Sequence, residues 1–395
     1  MFFKRTYFHE VKKRVEAPRN FIQAITGPRQ VGKTTIVRQV CESLDFSFRY
    51  VTADALSDNS SAWIEQQWEA VRVIQQSNGR PFLLLIDEVQ KIENWSETVK
   101  KLWDEDTFNN VNLKVVLLGS SGLLLQQGLN ESLAGRFELI QIPHWSYSEM
   151  KECFDITAEQ YAWFGGYPGA ASFINEENRW KDYVRNALIE ATISKDILML
   201  TKVSKPALMR QVFEMGVRYS SKILSFNKMI GQLQDAGNTT TISHYLKLLD
   251  TAGLLAGIPK FYVEEHRVKA SSPKWQIKNT ALFSGLSALS FDEIKGDPVS
   301  WGQVIESAIG AHLINKANEG RYEVFYWRHR NDEVDFVLKK GNKIIGIEVK
   351  SGATKPTNGM KAFKEKCNPH KILLVGTSGI LWQEFLELDP AILFN

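Results

Sequence analysis

Gly27-Pro28-Arg29-Gln30-Val31-Gly32-Lys33-Thr34-Thr35 has the form G-x-x-x-x-G-K-T, with the apolar run 21–25 before it and Ile36-Val37-Arg38-Gln39-Val40 after it. A strand, a glycine loop and a helix in that order form the context in which such a loop cradles phosphates. Gly27 and Gly32 let backbone N–H groups turn inward, and the positive end of the following helix adds attraction for an anion. In this frame Gly27, Pro28, Arg29, Gln30, Val31 and Gly32 wrap the phosphates, and Thr35 joins the nucleotide contacts. Lys33 reaches the β and γ phosphates, and the Thr34 hydroxyl ligates Mg²⁺.

Some fifty residues on, Phe82-Leu83-Leu84-Leu85-Ile86-Asp87-Glu88 runs an apolar strand into two carboxylates. Asp87 at the C-terminal end of a buried parallel strand would face the Mg²⁺ held by the loop. Glu88, next along, would polarise the attacking water. Together the two motifs predict an ATPase whose ligands are ATP and Mg²⁺.

With 395 residues, 44% of them hydrophobic and 24% charged, the chain reads as an ordinary globular protein of two to four domains. Its three cysteines, Cys41, Cys153 and Cys367, show no paired spacing, which points to a reducing cytoplasm without disulfides or a zinc site. Met1-Phe2-Phe3-Lys4-Arg5 is too interrupted by charge for a signal peptide, and no run of 18 apolar residues occurs, so a soluble cytoplasmic protein without a membrane partner is expected. Net charge is +3, but 321–371 holds 12 Lys or Arg against 6 Asp or Glu. A locally basic module in a near-neutral protein suggests contact with a polyanion, and DNA is the partner expected.

From about 20 to 143, strand-like runs at 21–25, 48–51, 82–86, 114–118 and 138–142 alternate with helical stretches such as 61–76 and 97–103. Such alternation predicts a parallel sheet with helices on both faces. Beyond Pro143 the pattern is mostly helical to about 219, interrupted by Gly165-Gly166-Tyr167-Pro168-Gly169, and reads as a helical lid over the nucleotide. At 226–235, Met229, Ile230 and Leu233 share one face; then come the turn Ala236-Gly237-Asn238 and Thr239 as N-cap. The next helix turns Ile242, Tyr245, Leu246 and Leu249 inward, and Gly253 stops it. Followed by strand-like 254–259, these two helices read as a winged helix-turn-helix. Thr240, Thr241, Ser243, His244 and Lys247 would meet a DNA groove. That face is polar but poorly basic, so protein contact stays open as its role; His266-Arg267-Val268-Lys269 and Lys274 add a little positive charge.

After a break near 296–300, Glu333-Val334-Asp335-Phe336-Val337-Leu338 and Lys343-Ile344-Ile345-Gly346-Ile347-Glu348-Val349-Lys350 flank Lys339-Lys340-Gly341-Asn342 as a hairpin. The register expected from that turn puts Asp335 opposite Gly346 and Glu333 opposite Glu348, with Asp335, Glu348 and Lys350 on one face. Val334, Phe336, Leu338, Ile345, Ile347 and Val349 form an apolar face that must be core. Two carboxylates and a lysine on one side of a sheet suit metal-dependent phosphodiester hydrolysis. Asp335 and Glu348 would bind Mg²⁺ with the Val349 carbonyl, Lys350 would activate water, and Gly346 would leave room for metal and DNA. Glu306, on the amphipathic helix around 304–313, could join them. The spacing resembles the restriction-endonuclease-like superfamily, with Val334 where its fullest motif has proline.

Across 21–350 the chain resembles the bacterial and archaeal AAA-type ATPases, related to the STAND signalling ATPases, that carry a C-terminal domain of unknown function. The resemblance rests on GPRQVGKTT at 27–35, LLLIDEVQK at 83–91, LLGSSG at 117–122, SLAGRF at 132–137, GGYP at 165–168, and YWR, EVDF and IEVK toward the end. It implies that Ser120 or Ser121 senses the γ-phosphate. It also implies that Arg136 is an arginine finger given to a neighbouring subunit, so a homo-oligomer is expected. Asn279 stands where the family usually has aspartate.

The fold class expected is therefore α/β: an AAA-type P-loop parallel sheet (1–145), a helical lid (146–219), a winged helix-turn-helix (220–290) and an α/β restriction-endonuclease-like domain (291–395). The function expected is ATP hydrolysis coupled to a DNA-directed, nuclease-like domain. The alternative is an ATP-gated signalling switch whose C-terminal domains only bind.

Overall fold

The structure, a computed structural model, describes residues 3–54, 60–119, 128–129, 131–199, 203–233, 237–263, 271–350 and 358–395. It falls into two compact units, 1–142 and 143–395. Among the described residues no helix is long and apolar enough to cross a membrane, and Cys41, Cys153 and Cys367 are unpaired thiols.

The first unit contains helices α1 (Tyr7–Glu16), α2 (Lys33–Cys41), α3 (Ala62–Asn78) and α4 (Trp95–Phe108). Its strands are β1 (Ile22–Thr26), β2 (Ser47–Thr52), β3 (Phe82–Asp87), β4 (Leu113–Gly119) and β5 (Phe137–Gln141). They form one sheet in the order β2-β3-β4-β1-β5, and every pairing in it is parallel. All five expected strands are present. β3 and β4 are buried along their whole length, which is why 82–86 and 115–118 read as apolar runs rather than as alternation.

Ile64, Trp68 and Val71 of α3 and Val99, Leu102 and Trp103 of α4 share one core with Leu84, Ile86, Val115 and Leu117 of the sheet. Each such side chain contributes about 1.5–3 kcal/mol by leaving water. Asp106 is buried in this layer because Trp68 Nε1 donates to it at 2.7 Å and Arg72 Nε at 2.6 Å. Burial pushes its carboxyl up, and Trp68 and Arg72 oppose that rise. α1 packs on α2, and its last carbonyls, from Val15, Glu16 and Ala17, accept from the buried Lys114 ammonium of β4.

The second unit begins with α5 (Tyr147–Phe154), α6 (Ala158–Phe164) and α7 (Glu177–Tyr183). The first two open on capping boxes, Ser146 with Glu149 and Thr157 with Gln160. After α7 the helix widens into π-type turns over Val184–Glu190 and Thr192–Leu198. Next come α8 (Pro206–Arg218), β6 (Lys222–Ile223), α9 (Phe226–Ile230), α10 (Thr239–Thr251), β7 (Leu255–Ile258) and β8 (Lys274–Ile277). The strands make a small antiparallel sheet ordered β6-β8-β7. α10 starts one residue earlier than expected, since Asn238, not Thr239, is the cap and accepts from the Thr241 amide at 2.9 Å. α9 closes at Ile230 rather than running to 235. Ile242, Tyr245, Leu246 and Leu249 are buried as expected.

The remainder is α11 (Ala281–Leu286), α12 (Phe291–Gly296), α13 (Pro298–Gly320), β9 (Glu323–His329), β10 (Asp332–Lys340), β11 (Lys343–Lys350), α14 (Asn358–Cys367), β12 (Lys371–Gly376) and α15 (Trp382–Glu387). The sheet order is β12-β11-β10-β9, antiparallel except where β11 meets β12.

The β10–β11 register differs from the expected one by two residues. Lys340 pairs with Lys343 around a tight turn, Val337 pairs with Gly346 and Phe336 with Ile347. Side chains alternate with period two, so this slip keeps the paired residues from Phe336 to Lys340 and from Lys343 to Ile347 on their assigned faces while changing their partners. Val334, Phe336, Leu338, Ile345, Ile347 and Val349 are all buried. A bulge in the β9 pairing between Val334 and Val337 also brings those two residues into one cluster with Phe363.

Candidate functional site

In the first unit, β1 delivers the chain into the glycine loop and α2 leaves it. Gly27 has φ +154°, and a Cβ there would stand 2.1 Å from the Ile142 carbonyl oxygen, so only glycine fits. Gly32, at φ +89°, holds the left-handed turn that starts α2. Lys33 is buried and donates to the carbonyls of Gly27 and Pro28, both at 2.8 Å. The loop thus contains its own ammonium, positioned over backbone oxygens.

Thr34 Oγ1 lies 3.3 Å from Asp87 Oδ2, which ties the start of α2 to the end of β3. Parallel strands put these two termini at the same end of the sheet, so the hydroxyl and the carboxylate that sequence assigns to Mg²⁺ do converge. Tyr50 of β2 also donates to Asp87 Oδ2, at 2.6 Å. Partial burial, then Asp87, holds the Tyr50 hydroxyl protonated. Glu88 turns off the strand with φ 53°, and its Oε2 accepts from Gln90 Nε2 at 2.5 Å. The donor set fits a nucleotide and a divalent cation: a loop closed to a Cβ at Gly27, an ammonium, and a hydroxyl–carboxylate pair.

Arg5 went unnoticed in the sequence. It is 2% exposed and donates to the Val31 carbonyl of the phosphate loop at 2.9 Å. Gln39 Nε2 likewise donates to the Phe3 carbonyl at 3.0 Å, fastening the segment before α1 to α2. Nothing in Phe3-Lys4-Arg5 signals this, because the partner lies 26 positions away.

Arg136 is elsewhere. Its carbonyl accepts from the Ile22 amide at 2.8 Å and Phe137 pairs with Ile22, so it sits at the start of β1, the end remote from the loop. Five residues of strand separate the two ends, about 16 Å. Its guanidinium makes two bonds to Asp104, 2.7 and 2.9 Å, on a half-exposed surface. Ser120 and Ser121 lie outside the described residues, as do His266, Arg267, Val268 and Lys269.

The second unit gathers Glu306 of α13, Asp335 of β10 and Glu348 and Lys350 of β11, as the sequence predicts, together with Glu333. Glu348 Oε1 meets Lys350 Nζ at 2.9 Å, and Asp335 Oδ2 accepts from the Val349 amide at 2.8 Å. Two expectations change. Gly346 opens no space at the carboxylates: it lies under Phe363, whose ring would be 2.8 Å from a Cβ there. The two-residue register slip is the reason.

Lys274 is not a solvated basic residue. It is 0% exposed, with Nζ 2.7 Å from Glu306 Oε1, 3.1 Å from the Asp335 carbonyl oxygen and 3.6 Å from Asp335 Oδ1. The Phe336 ring centroid is 4.6 Å away. Burial opposes its charge, but Glu306 and Asp335 outweigh burial and raise its pKa. Burial, with the Asp335 charge adding to it, pushes the Glu306 and Glu348 carboxyls up, to about 7. Protons thereby offset part of the excess of four carboxylates over two lysines.

Among the described residues, no three His, Cys, Asp or Glu side chains are grouped to hold a metal ion. Glu348 Oε2 is buried without a hydrogen-bond partner, but Glu306 and Asp335 face an ammonium. A resident divalent metal therefore does not fit this donor set as it stands.

Asn279, the departure from the resembled family, is buried in the scaffold. Its Oδ1 accepts from the Gly166 and Ala281 amides, both at 3.1 Å, and its amide nitrogen lies 3.2 Å from His144 Nδ1. The outward residues of α10 are as expected: Thr240, Ser243, His244 and Lys247 are exposed and Thr241 is half-buried.

Comparison with known proteins divides the chain in three. Residues 19–151 match the family described as "AAA domain". Residues 156–293 match a domain of unknown function (DUF8612), and 301–384 another (DUF4143). An uncharacterized protein of Mycobacterium tuberculosis is 26% identical over 337 residues, 84% of this chain and 70% of its own. One of Methanocaldococcus jannaschii is 20% identical over 376 residues, 89% of this chain and 80% of its own. Among solved structures, the Thermotoga maritima RuvB Holliday junction branch migration motor aligns over 64% of this chain and 86% of its own, at 18% identity and a TM-score of 0.33. The family match at 19–151, the parallel five-stranded sheet and the glycine loop agree: the chain carries an AAA-type P-loop ATPase domain.

Proposed function

We propose that the chain binds and hydrolyses ATP with Mg²⁺, assembles with copies of itself, contacts DNA, and uses its nucleotide state to control a nuclease-like C-terminal domain. The observation that carries the reading is the approach of Thr34 and Asp87 to 3.3 Å beside the Lys33 loop. Bound Mg²⁺, held by Thr34 and Asp87, supplies positive charge against the phosphates. Gly27, Arg29, Gln30, Val31 and Gly32 offer backbone N–H groups, while Pro28, which has none, shapes the turn. Lys33 exchanges its two carbonyl partners for phosphate oxygens. Glu88, released from Gln90, orients and deprotonates water. Self-assembly is supported by the position of Arg136, too far from its own loop to act there. DNA contact is supported by the basic stretch 321–371 and the polar face of α10. We further assign 1–145 to the ATPase core, 146–219 to a lid, 220–290 to a winged-helix segment and 291–395 to the nuclease-like domain.

A second reading, an ATP-gated switch whose C-terminal domains only bind, is favoured by one observation: Lys274 sits among the carboxylates on which cleavage would depend. Two assays separate the readings. ATP turnover by the full chain, with and without DNA and beside Lys33→Ala, tests the first; normal turnover in Lys33→Ala would remove the phosphate-loop assignment. Incubation of labelled single-stranded, duplex and branched DNA with Mg²⁺ or Mn²⁺, beside Glu348→Ala, tests the second. Cleavage that disappears in Glu348→Ala would overturn the binding-only reading.

A further inference from the structure

We propose that Lys274 is a built-in cation standing where the resembled nuclease superfamily would hold a divalent metal, so that the C-terminal carboxylate cluster of this chain excludes metal and serves as a structural joint. The inference rests on the nuclease-like reading of Asp335, Glu348 and Lys350, and it concerns what that site has become.

Three observations carry it. The first is position. Lys274 Nζ is 2.7 Å from Glu306 and 3.6 Å from Asp335 Oδ1, two of the three carboxylates that the superfamily pattern offers to an ion. A divalent cation on those oxygens would lie within a few ångströms of a fixed ammonium, a like-charge contact that burial strengthens. The second is enclosure. The side chain is completely buried, its second hydrogen bond goes to the Asp335 carbonyl oxygen at 3.1 Å, and Phe336 lies against it. Lysine is a flexible side chain, yet this one is wholly enclosed, held against Glu306 and Asp335 side chains that are themselves only 23% and 12% exposed.

The third is origin. Lys274 does not belong to the sheet that carries Asp335 and Glu348. It opens β8, pairing with Ile258 of β7 and Ile223 of β6. The ammonium therefore joins the small sheet to α13 and β10 by charge. A metal would bind the carboxylates without making that connection. This gives the lysine a positive role beyond exclusion: it couples the segment 220–290 to the four-stranded sheet.

The measurement is Mn²⁺ binding to the full chain by electron paramagnetic resonance, with Asp87→Asn in every sample so that the ATPase domain contributes no site. With Lys274 present, no stoichiometric Mn²⁺ is expected. With Lys274→Met, which keeps the volume and the contact with Phe336, one equivalent is expected. Its affinity should be higher by on the order of 10–100-fold, and the gain should vanish when Glu348→Ala is added. Stoichiometric Mn²⁺ in the lysine-containing protein, lost on Glu348→Ala, would overturn the inference while leaving the nuclease-like reading standing. No gain in a folded Lys274→Met protein would overturn it too, since the ammonium would not be what keeps the ion out. If Lys274→Met fails to fold, the lysine-containing protein with and without Glu348→Ala still decides, and recovery of a folded variant by Mn²⁺ during refolding supports the substitution of one cation for another.

Discussion

Arg136 and Asp104 hold each other by two hydrogen bonds, 2.7 and 2.9 Å, at the end of the sheet remote from the phosphate loop. An arginine there cannot reach a phosphate bound by its own chain, and a half-exposed pair contributes about 0–1 kcal/mol to stability. Arg136→Ala should therefore leave the protein folded. If a neighbouring copy receives the guanidinium, turnover should fall by on the order of 10³. Mixing provides the sharper check. Lys33→Ala chains retain the arginine and Arg136→Ala chains retain the loop, so the mixture should hydrolyse ATP when neither variant does alone. Unchanged turnover in Arg136→Ala would leave Arg136 as a surface ion pair, and two inactive variants that remain inactive together would rule out its donation to a neighbouring copy.

Glu88 and Gln90 give a separable test. The Glu88 carboxylate accepts from Gln90 at 2.5 Å, beside an Asp87 that is already engaged by Thr34 and Tyr50. Glu88→Gln removes the carboxylate proposed as the base and leaves the phosphate loop untouched. Binding of a fluorescent ATP analogue should persist while hydrolysis falls by about 10²–10⁴, the span of general-base contributions. Unchanged hydrolysis would assign the base elsewhere.

Where sequence and structure agree, the signal was local. The glycine loop, its strand and its helix are contiguous, and β3 announces itself as an apolar run because both its faces are covered. The hairpin faces were legible too. Alternation fixes parity, and from Phe336 onward parity survives the two-residue difference that moved Asp335 away from Gly346; the bulge that brings Val334 to the side of Val337 has no signal in the alternation. What could not be read was which distant side chain fills which space. Lys274 looks in sequence like any lysine near a basic stretch, and only the meeting of β8 with α13 and β10 makes it an internal cation. Arg5 is hidden in the same way, its role depending on a loop carbonyl that no spacing rule connects to it.

Arg5 also yields a prediction. A buried guanidinium bonded to the Val31 carbonyl at 2.9 Å fixes one side of the loop that must present its amides to phosphate. Hydrogen bonds to charged groups contribute about 1.5–3 kcal/mol. If most of that goes to holding the loop, Arg5→Ala should weaken nucleotide binding by about tenfold or more, measured by titration with a fluorescent analogue, in a protein of near-normal secondary structure by circular dichroism. Lysine should rescue poorly, lacking the planar fork. Equal affinity in Arg5→Ala would make this arginine a packing residue of the segment before α1.

His312 sets the acid limit of the second unit. It is buried on α13, with Nε2 3.0 Å from the Leu388 carbonyl oxygen and its ring edge-on to Phe385 at 6.1 Å. Burial, helped by Lys316, lowers its pKa to about 4, from an ordinary value near 6.5. The folded state therefore binds this proton less readily than the unfolded chain. Stability is complete above about 6.5 and is lost as pH falls toward 4. Glu306 and Glu348 act in the opposite sense. Their carboxyls are raised to about 7 in the folded state, so protonating them on the way down from neutral pH stabilises the fold. The raw pH profile mixes both trends, and a comparison with His312→Gln isolates one. That variant keeps a donor for Leu388 without a titratable ring. Between pH 7.5 and 5 the stability of the natural protein should drop relative to the variant by about 2 kcal/mol, read from urea unfolding. A difference between the two proteins that does not change with pH would show that the imidazole takes up its proton as readily in the fold as in the unfolded chain.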